Sequence, residues 1–159
     1  MFIQTNQPLF YGGFKYIKNE PKTKMMKYTR IIYRLAAIAA GIGWVVSILA
    51  TIVNGELVFE FLQYVSGLSF EYNPMLDYWM KMAGLAFAFV GLGFLYCGIK
   101  WKEGLKFGLY FGSFQILSGI AVLLNMVRME IDSLIYLMDC TFFLGTGIPM
   151  TWAWFNIRE

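Results

Sequence analysis

Four long apolar stretches separated by short polar loops are the feature of this sequence that most restricts its fold. The stretches cover residues 35–53, 79–99, 105–127 and 134–155. A transmembrane helix needs about 20 apolar residues to cross roughly 30 Å of hydrocarbon at 1.5 Å per residue, and each stretch has that length. A soluble core does not require four such stretches. The sequence therefore predicts an all-α polytopic membrane protein, whose four transmembrane helices form an antiparallel bundle.

Positive charge is distributed unevenly between the loops. All but two of the 13 Lys and Arg residues precede the first stretch, lie in the turn between the second and third stretches or within two residues of it, or stand at the C-terminus. The exceptions are Lys81 and Arg128. Because basic loops of membrane proteins stay in the cytoplasm, this pattern predicts that both termini are cytoplasmic and that the loop of residues 54–78 is external.

Three segments follow from this topology. Residues 1–34 are a basic and aromatic cytoplasmic segment, residues 35–155 are the transmembrane domain, and residues 156–159 are a cytoplasmic tail. Topology and anionic lipid explain the basic residues beside the first span, so we expect the lipid bilayer and no nucleic acid as a partner. Residues 1–14 are too apolar for a disordered tail and too rich in Pro and Gly for a helix, so we expect an ordered tail lying on headgroups or on a partner subunit.

The longest loop contains a further helical pattern. Within residues 56–65, Leu57, Phe61 and Tyr64 recur at helical spacing, which predicts a short amphipathic helix at the outer interface. Gly67 and the Asn73–Pro74 pair end it before the second span. The loop either caps the mouth of a cavity or only connects the two spans.

Small residues recur at steps of three and four in three of the spans. Such a row lets two helix backbones approach closely. Gly104, Gly108 and Gly112 form two overlapping GxxxG patterns, which serve either packing within the chain or dimerisation. The predicted helix-packing glycines are Gly84, Gly91, Gly104, Gly108, Gly112 and Gly119.

Two ionisable residues fall inside the predicted spans. Lys81 continues the small-residue face of the second span, and Asp139 lies early in the fourth span. A charge that faces lipid costs at least about 2.5 kcal/mol, so each should face the interior of the bundle. Because both helices start on the outer side, we expect Lys81 and Asp139 to lie at similar depth and to contact each other.

Asn125 and Gln115 of the third span extend this polar group. Together, Lys81, Asp139, Asn125 and Gln115 predict a pocket that opens to the outer side. Two interpretations remain open. In the first, Lys81 and Asp139 neutralise each other and fix the helix register; in the second, the four residues bind a ligand or a proton.

No motif for catalysis or metal binding is present in the sequence. The chain contains no His, which excludes His-ligated haem or copper and a His general base. Its two cysteines, Cys97 and Cys140, are expected near opposite faces of the membrane and cannot form a disulfide within the chain. We expect no catalytic residues and no metal.

The run Tyr78-Trp79-Met80-Lys81-Met82-Ala83-Gly84, a Gly-rich span that leads to a short basic turn, and the acidic Asp139 resemble small bacterial DoxX-like membrane proteins. The resemblance covers residues 78–155. It implies a four-helix protein of a bacterial inner membrane, with Lys81 and Asp139 as residues of interest. Some members are associated with quinone-linked sulfur oxidation, so the resemblance implies a quinone as ligand, with lipid as the other candidate. The long N-terminal segment departs from this family.

Three functions are consistent with the sequence. The leading hypothesis is a non-catalytic membrane subunit that packs against other membrane proteins or against itself. The alternative is a DoxX-like protein that binds a quinone or another small lipophile in the outer polar pocket. A second alternative is a small transporter that acts as an oligomer, since four spans without a clear inverted repeat do not suffice alone.

The topology is tested by reporter fusions after Lys102 and after Asp132. We expect opposite compartment signals from the two fusions, because an odd number of spans separates their positions. Identical signals from both fusions would contradict the four-span topology.

Overall fold

Six helices make up most of the part of the chain that the structure describes. The structure is a computed structural model that describes the backbone of residues 20–69, 71–129 and 134–158, and the side chains of residues 25–69, 71–128 and 134–157. The helices are α1 (Glu20–Val46), α2 (Leu49–Ile52), α3 (Gly55–Ser66), α4 (Pro74–Ile99), α5 (Trp101–Met129) and α6 (Leu134–Arg158). The predicted all-α class is confirmed. The expectation of an ordered tail at residues 1–14 concerns residues outside the described ranges.

Four helical segments are long and apolar enough to cross a membrane. They are Met25–Ile52, Pro74–Ile99, Trp101–Arg128 and Leu134–Ile157, which confirms the predicted number of candidate spans. The helices extend beyond the apolar stretches, most clearly in α1, which begins at Glu20. A helix continues past the hydrocarbon because its backbone hydrogen bonds do not depend on apolar side chains.

Between α1 and α2, the first span changes from α-helical hydrogen bonds to the tighter hydrogen bonds of a turn. The amides of Ser47 and Ile48 donate to carbonyls three residues earlier, at N···O distances of 3.2 and 3.0 Å. The Ser47 hydroxyl donates to the Gly84 carbonyl at 2.9 Å, and the Thr51 hydroxyl donates to the Lys81 carbonyl at 3.0 Å. These two bonds attach this end of the first span to α4.

The four long helices surround a common core. Helix α1 packs against α4 and α6, and α5 packs extensively against α6 but less against α4. Consecutive spans and the first and last spans are therefore neighbours, whereas α4 and α6 stand diagonally across the bundle. The core between them contains Tyr33, Trp44, Phe94, Met150 and Trp154, all nearly fully buried.

Glycines of α4 bring its backbone onto the first span. Gly84, Gly91 and Gly98 are spaced seven residues apart, the repeat of a left-handed helix pair. A Cβ atom added at Gly84 would lie 2.6 Å from the Ser47 carbonyl oxygen, and one at Gly91 would lie 2.7 Å from the Val45 amide nitrogen. Since real Cβ atoms do not approach so closely, only glycine fits at these contacts.

Glycines also line the contacts of α5. A Cβ atom at Gly108 would lie 2.6 Å from the Tyr33 hydroxyl, one at Gly119 would lie 2.8 Å from the Leu144 side chain, and one at Gly112 would overlap the Thr151 hydroxyl. Gly104 lies against the backbone of the last turn of α4. The six glycines singled out in the sequence thus all lie at contacts within the chain.

The end of the bundle that carries α3 is called the outer end here, following the predicted topology, and the opposite end is the inner end. The predicted amphipathic helix of residues 56–65 is observed as α3. Asn54 accepts a hydrogen bond from the Glu56 amide at 3.0 Å at its start, and Gly67 ends it with a φ of 69°, a conformation that favours glycine. The Asn73 side chain caps α4, and Pro74 begins it.

We expect that Gly112→Leu lowers the free energy of unfolding by about 2 kcal/mol or more, because the new side chain must displace the backbone of α6. The measurement is the unfolding midpoint of the purified protein in detergent. Gly145→Leu is the matched control, since no atom lies within 4 Å of a Cβ atom added at Gly145. Equal stability of the two variants would show that the α5–α6 contact at Gly112 is not close.

Candidate ligand cavity in the outer half of the bundle

An open cavity of about 800 Å³ lies between all four spans in the outer half of the bundle. Interiors of proteins are packed about as densely as organic crystals, so a space of this size is a notable feature. Its lining residues are Gly43, Trp44 and Ser47 from the first span, Phe87 from α4, Phe114, Ser118, Ala121 and Val122 from α5, and Met138, Asp139, Phe142 and Phe143 from α6.

Five of the twelve lining residues that the structure describes are aromatic, with Trp44 at their centre. The ring centroid of Trp44 lies 4.8 Å from that of Phe87, 5.7 Å from that of Phe114 and 5.3 Å from that of Phe143. The Phe142 ring packs against Phe143 at 5.4 Å. Because each ring contacts a ring from another helix or its own neighbour, the wall is a continuous aromatic surface.

A buried polar network holds Trp44 in place. The Trp44 indole Nε1 donates to Gln115 Oε1 at 2.9 Å, and Gln115 Nε2 donates to the Thr146 hydroxyl at 2.8 Å. The Thr146 hydroxyl in turn donates to the Phe142 carbonyl at 2.8 Å. Gln115 is fully buried, and both ends of its amide are used. Gln115 therefore positions a wall of the cavity and is not among its lining residues, and its role in ligand binding stays a prediction.

Among the residues that the structure describes, Asp139 is the one ionisable side chain that lines the cavity. It lies five residues into α6, about 7–8 Å along the helix axis from the first described residue. Within the described ranges, its carboxylate has neither an ion pair nor a hydrogen bond. Ionisable side chains within transmembrane helices are rare and point to functional sites, so Asp139 is the candidate functional residue of this cavity.

The predicted contact between Lys81 and Asp139 is wrong. Lys81 Nζ lies 2.8 Å from Asp77 Oδ2, one helical turn earlier in α4. The diagonal placement of α4 and α6 separates Lys81 from Asp139, whereas the i,i+4 spacing brings Lys81 and Asp77 together on one helix face.

Asp77 links the outer loop to α4. Its side chain is 11% exposed, and its carboxylate also accepts a hydrogen bond from the Tyr72 hydroxyl at 3.3 Å. Desolvation and the Asp77 charge raise the pKa of Tyr72, so this hydroxyl remains a donor. Gly55 of α3 lies directly against the carboxylate, and Phe59 packs on the Tyr72 ring at 5.3 Å. The outer ion pair is therefore part of the loop structure.

Asn125 does not belong to the cavity. Its side chain is exposed and donates to the Ala121 carbonyl at 2.9 Å. Asn125 follows the lining residues Ser118, Ala121 and Val122 by seven, four and three positions and so shares their face of α5, but it lies about one turn nearer the end of the helix and is not among the lining residues. A role of Asn125 in ligand binding stays a prediction.

A second, smaller cavity of about 430 Å³ lies at the inner end of α5 and α6. Lys102, Lys106, Tyr110 and Trp154 are among its lining residues. The Trp154 indole donates to the Leu105 carbonyl at 2.7 Å, and nearby the Arg34 Nε donates to the Gly98 carbonyl at 3.2 Å. These contacts fix the α4–α5 turn against α1 and α6.

The sequence did not indicate the aromatic wall. Phe87 lines the cavity, whereas Phe89, two residues later, is 67% exposed on the outside of the bundle. Both are apolar residues in an apolar span, so hydropathy does not distinguish them. The two residues differ in their contacts, because the Phe87 ring packs on the Trp44 ring.

Within the described ranges, no three His, Cys, Asp or Glu side chains lie close enough to hold a metal ion. No family profile, curated protein or solved structure matches this chain. The chemistry of the cavity therefore rests on its own residues.

We expect that Asp77→Asn lowers the free energy of unfolding by about 1 kcal/mol, because it removes the partner of Lys81 and a negative charge from the first turn of α4. Asp139→Asn serves as the matched control and should not reduce stability, since Asp139 has no contact with Lys81. The measurement is the unfolding midpoint of both variants. A larger loss from Asp139→Asn would contradict the Lys81–Asp77 pairing.

Proposed function

We propose that this integral membrane protein binds a small lipophilic molecule in the outer cavity. The observation that carries the proposal is an open space of about 800 Å³ with aromatic walls and a single carboxylate. Ligand sites are typically clefts of about 300–1,000 Å³ with mostly apolar walls and a few polar groups that orient the ligand. Both the size and the lining of the outer cavity meet this description.

The predicted topology assigns the cavity to one leaflet of the membrane. If the basic loops are cytoplasmic, as their distribution predicts, the cavity lies in the outer half of a bacterial inner membrane. A lipophilic ligand would then enter from the outer leaflet or from the outer surface. The resemblance of residues 78–155 to DoxX-like proteins supports a ligand of this class, including a quinone.

The hypothesis of a membrane subunit has less support from the geometry. That hypothesis rested on the small-residue faces of the helices. The six predicted helix-packing glycines on these faces contact other helices of the same chain. Gly145 is an exposed glycine of α6, but one small residue does not define a binding face. Transport of the ligand would need a second opening or an oligomer, and the proposed function does not require either.

The proposal is tested by binding of two probes to the purified full chain in detergent. Ubiquinone-1 is a neutral probe that quenches tryptophan fluorescence, and tetraphenylphosphonium is a cationic probe whose tritiated form is measured directly. We expect saturable binding of at least one probe with one site per chain. Ser118→Phe should weaken that binding at least tenfold, because its ring would occupy the cavity.

Leu124→Phe is the matched control on the same helix. Leu124 is 64% exposed and does not line the cavity, so this variant should bind as the unmodified chain does. Absence of saturable binding of both probes would overturn the proposed function. Equal binding by Ser118→Phe and the unmodified chain would also overturn it, because the ligand would then bind elsewhere.

A further inference from the structure

The charge of the outer cavity is unbalanced within the described part of the chain. Asp139 is its one ionisable lining residue, and no Lys or Arg lines it. The two basic residues predicted on the outer side do not compensate it: Lys81 pairs with Asp77, and Arg128 is exposed at the end of α5. An ionised Asp139 would therefore leave the cavity with a negative charge that a ligand can neutralise.

The aromatic wall favours the same sign of ligand charge. The faces of Trp and Phe rings are electronegative, and a cation within about 6 Å of a ring centroid is attracted to them. Trp44, Phe87, Phe114, Phe142 and Phe143 surround the cavity, and Trp44 is the strongest such ring type. Recognition of large organic cations by a cage of aromatic rings uses this interaction.

The size and the scarcity of oxygen atoms exclude a small inorganic cation as the best fit. Mg²⁺ and Ca²⁺ require six or more oxygen ligands, whereas the side-chain oxygens of the lining come only from Asp139, Ser47 and Ser118. The one proton of the Ser47 hydroxyl is already used within the protein, since the Trp44 and Gly84 carbonyl oxygens both lie within hydrogen-bond distance of its Oγ. A large cation with delocalised or shielded charge loses little hydration on entry and fills the space.

We infer that the ligand of the outer cavity is a lipophilic organic cation, held by the Asp139 carboxylate and the surrounding aromatic rings. This inference rests on the proposed function, because it assigns the ligand class of the same cavity. Asp139 supplies a charge opposite to that of the ligand, and the rings of Trp44 and Phe87 supply apolar and cation–π contacts to it.

The experiment compares tetraphenylphosphonium with ubiquinone-1 on the same variants. We expect Asp139→Asn to weaken binding of tetraphenylphosphonium at least tenfold and to change binding of ubiquinone-1 less than twofold. Glu60→Gln is the matched control, since it removes one carboxylate from exposed α3 outside the cavity. It should leave the binding of both probes unchanged.

A second variant tests the aromatic contribution. Phe87→Leu keeps an apolar side chain but removes the ring, so we expect it to weaken tetraphenylphosphonium binding about threefold to tenfold. Its unfolding midpoint, measured in parallel, separates this effect from a loss of folded protein.

The outcomes separate the two proposals. If ubiquinone-1 binds in a way that Ser118→Phe abolishes, while tetraphenylphosphonium does not bind or is unaffected by Asp139→Asn, the cation inference is overturned and the lipophile-binding function stands. If neither probe binds saturably, both are overturned. If Glu60→Gln weakens tetraphenylphosphonium as strongly as Asp139→Asn, the effect is one of net charge and the assignment to Asp139 fails.

Discussion

Glycine at every seventh position of the face that α4 turns to α1 brings the two backbones into van der Waals contact. Lipid tails are as apolar as Leu side chains, so burial of apolar surface does not drive helices together in a membrane, and close packing must do so. The contacts at Gly84 and Gly91 permit the Ser47 and Thr51 hydroxyls to reach carbonyls of α4. This pair of helices fixes the first span, which in turn contacts α6 and carries Trp44 into the core.

The contact between α4 and α5 is of a different kind. There, Gly93 faces the ring of Phe111, whose centroid lies 4.6 Å from that of Phe94 with the two ring planes tilted by 57°, so the two helices meet across a bulky side chain. The backbones are therefore held further apart than at the glycine contacts. Trp44 borders the outer cavity, and its hydrogen bond to Gln115 prevents the indole ring from turning into the cavity. A buried amide with all its polar groups satisfied gives this position a single arrangement.

Hydropathy and loop charge predicted the number of spans and the all-α class, because both depend on residue types summed over about 20 positions. The candidate site was predicted less well, because it depends on single side-chain directions. Asp139 was selected for its cost in hydrocarbon, and it does line a cavity. Lys81 was assigned a partner by depth, although Asp77 stood one turn away. Asn125 shares the face of α5 that lines the cavity, but it lies about one turn beyond the lining residues and donates to the Ala121 carbonyl. The aromatic wall left no sequence signal, since a cavity-lining Phe and a lipid-facing Phe have the same hydropathy.

Two carboxylates near the outer end show how a charge in a membrane protein can be used. Asp77 is almost fully buried and has three neighbours that explain its presence: the Lys81 ammonium, the Tyr72 hydroxyl and the start of its own helix. Removing its charge should therefore lower the free energy of unfolding. Asp139 lies deeper along its helix, and its described surroundings are rings, hydroxyls and aliphatic groups. Nothing in the described fold needs that charge, while the bilayer makes it expensive to keep. A charge that folding does not require is best explained by an occupant of the space beside it, and the rings around that space favour an occupant of positive charge.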